Sequence, residues 1–594
     1  MKKLLALMLA LLMVLAVAAC ANKPNGNPTS DPNDIHVPDT DVDPNETDPT
    51  KLVDPAFINP VGESWKAYDE LIAQIKAETD FVKRTHLMHQ AEDILMATNC
   101  IIPIYYYNDV YMQKDYVSGI YSNPYATKFF MYTTLSNGSD TLRLNLSSEP
   151  DFLDPALNSS VDGACLAANS FSGLYTYDAS GKPVPACATG YDLSEDGLTY
   201  PVHLREGLKW SDGSDLTAED FVYAWKRAVD PATGADYAYM FSGFKGYTEE
   251  GTPDLAVSAP DPLTFVFELN APCAYMEDLM AFPTFYPVKQ AAVEAFDGWE
   301  TSPGGWCQEA GFVSNGAYVC TGWNHDVSMT YEKNPYWYNA DQVTVEKLEY
   351  MLSSDDTAIF AAYNSGDLDF ADSVPTDAIA GLIESKNPEF HIVDELGTYY
   401  VIFNAKSKIF EGKTPEQAAC MRKAFSILID RDYICENIGQ TGQVAANAFI
   451  PLGMADGNGG IFKSSATEQG YYDPFATTND HEGTLAYARQ LLKAAGYEFG
   501  DDGKLTSATP IQLEYLTNPT SGHIAIAQSI QQDLSEIGIE LDIQQQEWNV
   551  FLEERKAGNF DFARNGWIAD FNDPVNMLEM WTTVSGNNDA QFGR

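Results

Sequence analysis

The chain has 594 residues, of which 45% are hydrophobic and 12% aromatic, so a globular protein of several domains is expected. Its 85 acidic and 35 basic residues give a formal net charge of −50 at pH 7. This charge repels a phosphate backbone, which excludes nucleic acid as an expected partner.

The first twenty residues have the pattern of an export signal. Lys2 and Lys3 precede an unbroken apolar run over 4–15, which is too short to span a bilayer comfortably. The run ends in Val-Ala-Ala-Cys, which resembles a bacterial lipobox in which Cys20 becomes the lipidated N-terminus. We predict a lipoprotein signal peptide over 1–20 and lipid anchoring on the extracytoplasmic face of the cell membrane. An ordinary signal peptide with an incidental cysteine is the alternative.

The sequence after the signal peptide changes from a polar segment to segments whose apolar residues have helical spacing. Residues 21–56 are rich in Pro, Asp, Asn and Thr, which predicts a disordered acidic tether. Apolar residues then recur at helical spacing from Trp65 to Ile75. A second helix is predicted to start at Asp80, whose side chain suits an N-cap, and to run through Ile94.

A strand is predicted after these helices. The run IIPIYYY over 101–107 is apolar and aromatic, and Pro103 within it indicates an edge or a bulge. From Asp140 to the end, strand and helix patterns alternate, which favours an α/β fold.

Cysteine and histidine positions indicate no metal site. Eight cysteines follow Cys20 without a CxxC pair, and their disulfide connectivity cannot be deduced from the sequence. His86 and His89 lie three apart on the second predicted helix, where a polar helix face is the plainer interpretation than a metal site. We expect no metal and no cofactor.

Seven segments occur in a definite order along residues 140–594. They are LRLNLSSEPDFLDPALNSS (142–160), LREGLKWSDGSDLTAEDFVYAWKRAVDP (204–231), VSNGAY (313–318), NPYWYN (334–339), NSGDLDFA (364–371), RKAFSILIDRDYI (422–434) and QEWNVFLEERKAGNFDFARNGWIADFNDP (546–574). In this order they resemble the extracytoplasmic peptide-binding proteins of ABC transporters, the oligopeptide-binding family of solute-binding proteins (family 5).

The resemblance implies a periplasmic-binding-protein-like type II α/β fold with two lobes and an extra domain. The expected boundaries are 57–99 for a helical segment packing on lobe III, 100–182 and 297–395 for lobe I, 183–296 for extra domain II, and 396–594 for lobe III.

One segment stands in an unusual place. In the family, a helical segment followed by a strand like PIYYY lies at the C-terminus, whereas here it occupies about 64–134, ahead of the usual opening strand. This order resembles a circular permutation, with Thr133–Asp140 joining the old ends. Domain termini are often close together, which makes a permutation physically tolerable. Exchange of the segment with a neighbouring molecule and an error of gene assembly are the alternatives.

The resemblance also implies a cleft that closes over an extended peptide. The backbone groups of a buried peptide must be paired, and its terminal ammonium needs a buried carboxylate. Asp570 stands where the family has that carboxylate, although an Asx turn before Pro574 is the local alternative.

Other cleft positions are carried over in the same way. Arg555, Arg564 and His523 resemble the groups that receive the peptide carboxylate, and ordinary ion pairs are the alternative. The remaining expected contacts are backbone near Val161 and at Gly566, Trp567 and Ile568, and pocket walls from Trp548, Trp567, Tyr399, Tyr400 and Tyr106.

We therefore expect a monomeric binding protein that captures oligopeptides and delivers them to an ABC permease. HExxH, GxxxxGK[ST] and GxSxG are all absent, so no catalytic residues are predicted. The alternatives are the same fold binding a sugar, a metal complex or heme, an exported hydrolase, and a structural or adhesive lipoprotein.

Overall fold

The computed structural model describes residues 43–146, 148–248, 254–463 and 481–594. Cys20, the signal peptide and the tether up to residue 42 lie outside this part of the chain, so their predictions are not addressed by it. Residues 43–56 of the predicted tether do lie within the described chain. Leu52 is buried at 3% exposure in an apolar core, and its carbonyl oxygen accepts from Nζ of Lys423 at 3.4 Å. The buried side chain of Leu52 therefore holds this end of the segment against the helix that carries Lys423.

Helices and strands alternate along most of the described chain. The helices are α1 (Lys66–Ala77), α2 (Phe81–Ala97), α3 (Val161–Ser170), α4 (Ala218–Ala228), α5 (Met276–Ala281), α6 (Gln290–Val293), α7 (Asp356–Ser365), α8 (Thr376–Ser385), α9 (Pro415–Leu428), α10 (Arg431–Tyr433), α11 (His481–Ala494), α12 (Ser521–Ser535), α13 (Trp548–Ala557) and α14 (Val575–Glu579). Within the described ranges, no helix is long and apolar enough to cross a membrane.

The strands form three larger sheets and several short ribbons. They are β1 (Ile101–Gln113), β2 (Val117–Ser118), β3 (Tyr121–Ser122), β4 (Lys128–Phe129), β5 (Thr134–Leu135), β6 (Thr141–Leu146), β7 (Tyr175–Tyr177), β8 (Pro183–Pro185), β9 (Ala188–Tyr191), β10 (Thr199–Leu204), β11 (Val257–Asp261), β12 (Thr264–Glu268), β13 (Tyr318–Asn324), β14 (Ser328–Lys333), β15 (Lys347–Leu352), β16 (Phe370–Ala371), β17 (Phe390–Phe403), β18 (Gln512–Thr517), β19 (Glu540–Gln545) and β20 (Phe562–Ile568). The larger sheets have the orders β16-β1-β17-β20-β18-β19, β11-β12-β10-β9 and β13-β14-β15-β6. The predicted α/β class is confirmed.

The two N-terminal helices start where the sequence predicts and pack on the C-terminal end of the same chain. The side chain of Asp80 accepts from the first backbone N–H groups of α2, which confirms the predicted N-cap. The indole N–H of Trp65 donates to the Trp581 carbonyl at 2.9 Å, and the Tyr68 hydroxyl donates to the Leu578 carbonyl at 3.0 Å. Both aromatic side chains are fully buried, so this contact belongs to the core.

Strand β1 lies inside the six-stranded sheet and carries the predicted bulge. It runs antiparallel to β17 over most of its length, and the register shifts between Pro103 and Tyr105. Proline lacks the N–H that a regular ladder needs, so an irregularity at this position is expected. An early segment of the sequence thereby supplies an inner strand to a sheet whose other strands come mostly from the second half.

The cysteines are free thiols throughout the described residues. They are Cys100, Cys165, Cys187, Cys273, Cys307, Cys320, Cys420 and Cys435. All but Cys273 are buried, where they pack as small apolar side chains.

Candidate functional site

A cavity of about 480 Å³ is enclosed by residues from distant parts of the chain. Its walls include parts of β1, β4, α3 and β20, together with the segments before α12 and after β20. Nine predicted site residues line it: Val161, His523, Trp548, Arg555, Arg564, Gly566, Trp567, Ile568 and Asp570. The fold therefore brings together positions that are up to 409 residues apart in the sequence.

One edge of strand β20 is open towards this cavity. The strand pairs with β17 over its whole length, from Phe562 to Ile568. On its other side it pairs with β18 only at Phe562 and Ala563. The backbone from Arg564 to Ile568 therefore has no neighbouring strand on that side among the described residues. Such an edge can accept an extended chain through main-chain hydrogen bonds.

Asp570 lies just beyond the end of this edge, in the cavity wall. The Tyr237 hydroxyl donates to its Oδ1 at 3.0 Å, and the side-chain amide of Asn576 donates to its Oδ2 at 2.8 Å. Burial raises the pKa of Asp570 to about 7, although both hydrogen bonds oppose this shift. Both polar partners are neutral, and no described cation lies within ion-pair distance of the carboxylate. A cation in the cavity would therefore complete the electrostatic environment of Asp570.

Arg564 lies at the opposite end of the open edge and has no acidic partner within ion-pair distance among the described residues. The residue is 9% exposed, and its Nε has no hydrogen-bond partner in the part of the chain that the structure describes. Its guanidinium lies 5.6 Å from the ring centre of Tyr399 and 5.7 Å from that of Trp548. Aromatic faces stabilise this cation while leaving it available for an anion in the cavity.

His523 and Arg555 offer less to a ligand than Arg564 does. Burial lowers the pKa of His523 well below its ordinary value, and nearby Arg564 adds to this effect. The imidazole is therefore neutral at pH 7. Nε of Arg555 lies 2.7 Å from Oδ2 of Asp589. The ion pair that the sequence left open as an alternative is thus present at Arg555.

Three predicted pocket residues do not line the cavity. Tyr399 and Tyr400 lie on β17, which has strands on both sides, and both are fully buried in the core. Tyr399 stacks on Tyr105, and Tyr400 packs edge-on against Phe449. The hydroxyl of Tyr106 points to the Asn447 side chain at 3.3 Å. These three aromatic side chains are core residues, as large aromatic residues usually are.

The cavity also contains residues that the sequence did not single out. Tyr107 lines it in place of Tyr106, because successive side chains of a strand point to opposite faces. The sequence predicts that the side chains of IIPIYYY alternate between the two faces of a strand. It does not indicate which of these faces meets the cavity. Tyr237 lies 333 residues before Asp570 in the sequence, and Asn576 lies six residues after it. Only the fold shows that Tyr237 contacts Asp570.

Comparisons with known proteins identify the family. The family model described as bacterial extracellular solute-binding proteins, family 5 Middle, matches residues 182–589. The chain is 32% identical to the oligopeptide-binding protein OppA of Bacillus subtilis, with 76% of this chain and 79% of that protein covered. This chain belongs to family 5. OppA of Escherichia coli is also similar, with 31% identity over the same shares of the two chains.

Solved structures agree with the family 5 assignment. The murein tripeptide-binding protein MppA of Escherichia coli matches with a TM-score of 0.68 and 28% identity, covering 76% of this chain and 84% of that one. OppA of Haemophilus influenzae in complex with RPPGFSPFR matches with a TM-score of 0.66 and 27% identity, covering 77% and 85%. These matches confirm the predicted type II fold. The family 5 relatives named here are binding proteins, which confirms that the chain is not an enzyme.

Proposed function

We propose that this protein captures oligopeptides in the cavity beside β20 and delivers them to the permease of an ABC transporter. The observation that carries the proposal is the buried carboxylate of Asp570, whose hydrogen-bond partners among the described residues are neutral. A desolvated ammonium at the N-terminus of a peptide would supply the missing positive charge. The relatives named as oligopeptide-binding proteins support the same ligand class.

The ends of a peptide match the two ends of the open edge. Asp570 and Arg564 are six residues apart, which is at most about 20 Å along an extended chain. A peptide laid along this edge would place its ammonium at Asp570, its carboxylate near Arg564, and its backbone against residues 564–568. Main-chain pairing of this kind is independent of side-chain identity, which suits a protein that accepts many peptides.

Calorimetric titration of the ligand-free protein with tri-alanine and N-acetyl-tri-alanine tests the proposal. We expect the free amine to bind at least about tenfold more tightly, since a charge-assisted hydrogen bond contributes about 1.5–3 kcal/mol. Asp570→Asn should remove this difference, because the amide keeps the shape but loses the charge. Equal losses of affinity for both peptides in Asp570→Asn would contradict the ammonium role.

Further parts of the proposal concern the membrane and the domains. Lipidation of Cys20 would hold the protein at the extracytoplasmic face of the cell membrane, close to the permease. Replacing Cys20 by Ser should move the protein from the membrane fraction to the soluble fraction.

We also propose the two-lobe arrangement with extra domain 183–296, in which a ligand that contacts both lobes favours the closed state.

A further inference from the structure

An acidic cluster, made of residues other than Asp570 and Arg564, lies in the cavity wall. Nζ of Lys128 lies 2.8 Å from Oδ2 of Asp109 and 2.8 Å from Oδ1 of Asp372. Glu395 interacts electrostatically with these three side chains, and all four residues line the cavity. One lysine cannot neutralise three carboxylates. The acidic cluster therefore carries excess negative charge when its carboxyl groups are ionised.

Glu395 is the member of the acidic cluster without an ion-pair partner among the described residues. It is 8% exposed, and its Oε1 is a buried atom that accepts no hydrogen bond from any residue that the structure describes. A buried carboxyl oxygen in this state is unfavourable unless a donor reaches it. Since Glu395 lines the cavity, a donor brought by the ligand would meet it there.

We propose that the acidic cluster is a subsite for a positively charged side chain, lysine or arginine, of the bound peptide. This inference rests on the proposed function and adds a preference to it. The charges of the peptide termini match Asp570 and Arg564, so neither terminus is needed at the cluster. A cationic side chain would offset the remaining negative charge and donate to the unpartnered oxygen of Glu395.

Binding of a basic side chain at the acidic cluster should also change the protonation of Glu395. Burial raises the pKa of Glu395 well above its ordinary value, and Asp109 and Asp372 add to the effect while Lys128 opposes it. Asp162 on α3 contributes a further negative charge that acts on Asp372. A cation beside Glu395 favours its ionised form, so binding of a basic side chain releases a proton.

Calorimetry with five alanine pentapeptides, each with one lysine at a different position, tests the subsite. Each peptide is paired with its Nε-acetyl-lysine counterpart, and the all-alanine peptide is measured as a reference. We expect at least one position at which lysine binds about tenfold more tightly than acetyl-lysine. Glu395→Gln should reduce this ratio to below about threefold.

Controls separate the subsite from the proposed function. Glu384→Gln makes the same change at an exposed position of α8 and should leave the lysine ratio unaltered. Asp372→Asn is a second cluster variant and should lower the ratio as Glu395→Gln does. Equal binding of lysine and acetyl-lysine at all five positions overturns the subsite. Failure of every peptide, including all-alanine, overturns the proposed function instead.

Titration in phosphate and in Tris buffer measures the proton release. The lysine peptide should release more protons than its acetylated counterpart, and this difference should vanish in Glu395→Gln. Asp570 contributes equally to both peptides because they share the same free N-terminus. Equal proton release by the two peptides in wild type would overturn the role of Glu395.

Discussion

Asp570 and Arg564 are buried residues of opposite charge that lack charged partners among the described residues. Each is stabilised by neutral or aromatic neighbours, which make the buried charge tolerable but leave it uncompensated. By contrast, Arg555 already has Asp589 and Lys556 already has Asp236 within 2.7 Å. We propose that this difference separates the residues that bind a charged group of the ligand from those that only form the walls of the cavity.

Arg564→Gln should weaken binding of peptides with a free carboxylate. We expect a loss of about tenfold or more for tri-alanine and a much smaller loss for tri-alanine amide, because only the former carries the negative charge. Arg555→Gln is the matched control, since its guanidinium already pairs with Asp589. Calorimetry of both variants with both peptides makes the comparison. Equal losses for acid and amide in Arg564→Gln would contradict the assignment.

The pKa of Asp570 predicts how the stability of the ligand-free protein depends on pH. Its pKa rises from 3.8 to about 7 on folding, so the folded state binds more protons than the unfolded state between these values. The stability that Asp570 contributes is therefore present at low pH and is lost as pH rises towards 7. Asp570→Asn removes this dependence.

Urea unfolding of ligand-free wild type and Asp570→Asn at pH 5 and pH 8 measures the effect. The free energy of unfolding of the variant, relative to wild type, should rise by about 2–3 kcal/mol from pH 5 to pH 8. Wild type and variant share all other titrating groups, so the contributions of these groups cancel in the difference between the two free energies of unfolding. A difference that does not change with pH would show that Asp570 ionises normally.

At the scale of elements, α1, α2 and β1 join the beginning of the chain to its end. Besides the contacts of Trp65 and Tyr68, Arg84 on α2 forms two hydrogen bonds to Asp573, at 2.7 and 2.8 Å. Both side chains are almost fully buried, at 6% and 2% exposure. Removing one partner of such a pair leaves the other as an uncompensated buried charge.

Arg84→Ala should therefore lower the free energy of unfolding by about 3–5 kcal/mol. Lys83→Ala is the control on the same helix, because Lys83 pairs with Glu78 at the exposed surface and its loss should be negligible. Denaturant unfolding of both variants tests this. Equal stability of the two variants would show that the pair contributes nothing to the docking of α2.

The elements were largely predictable from the sequence, whereas the details of the site were not. Helical spacing and the N-cap at Asp80 located α1 and α2, because these signals are local. The choice between Tyr106 and Tyr107 depends on which face of β1 meets the cavity, and no local signal contains that information. The acidic cluster draws on β1, β4, β17 and the segment after β16, so only the folded chain brings its charges together.

On the scale of the whole molecule, we propose that the order of segments is a circular permutation. A variant with residues 57–136 moved behind Arg594 should fold and should bind tri-alanine within about threefold of wild type, because a new order leaves the packed contacts unchanged. Deletion of 57–136 should instead prevent cooperative unfolding, since it removes α1, α2 and β1. A relocated variant that fails to fold would contradict the permutation.

We propose that a peptide with a free N-terminus occupies the cavity of this protein. Native mass spectrometry of the protein purified without added ligand, followed by release and sequencing of the bound molecules, tests whether this is so. We expect monomers bearing a mixture of short peptides with unmodified amino termini. Release of a sugar, a metal complex or heme, with no peptide present, would contradict it.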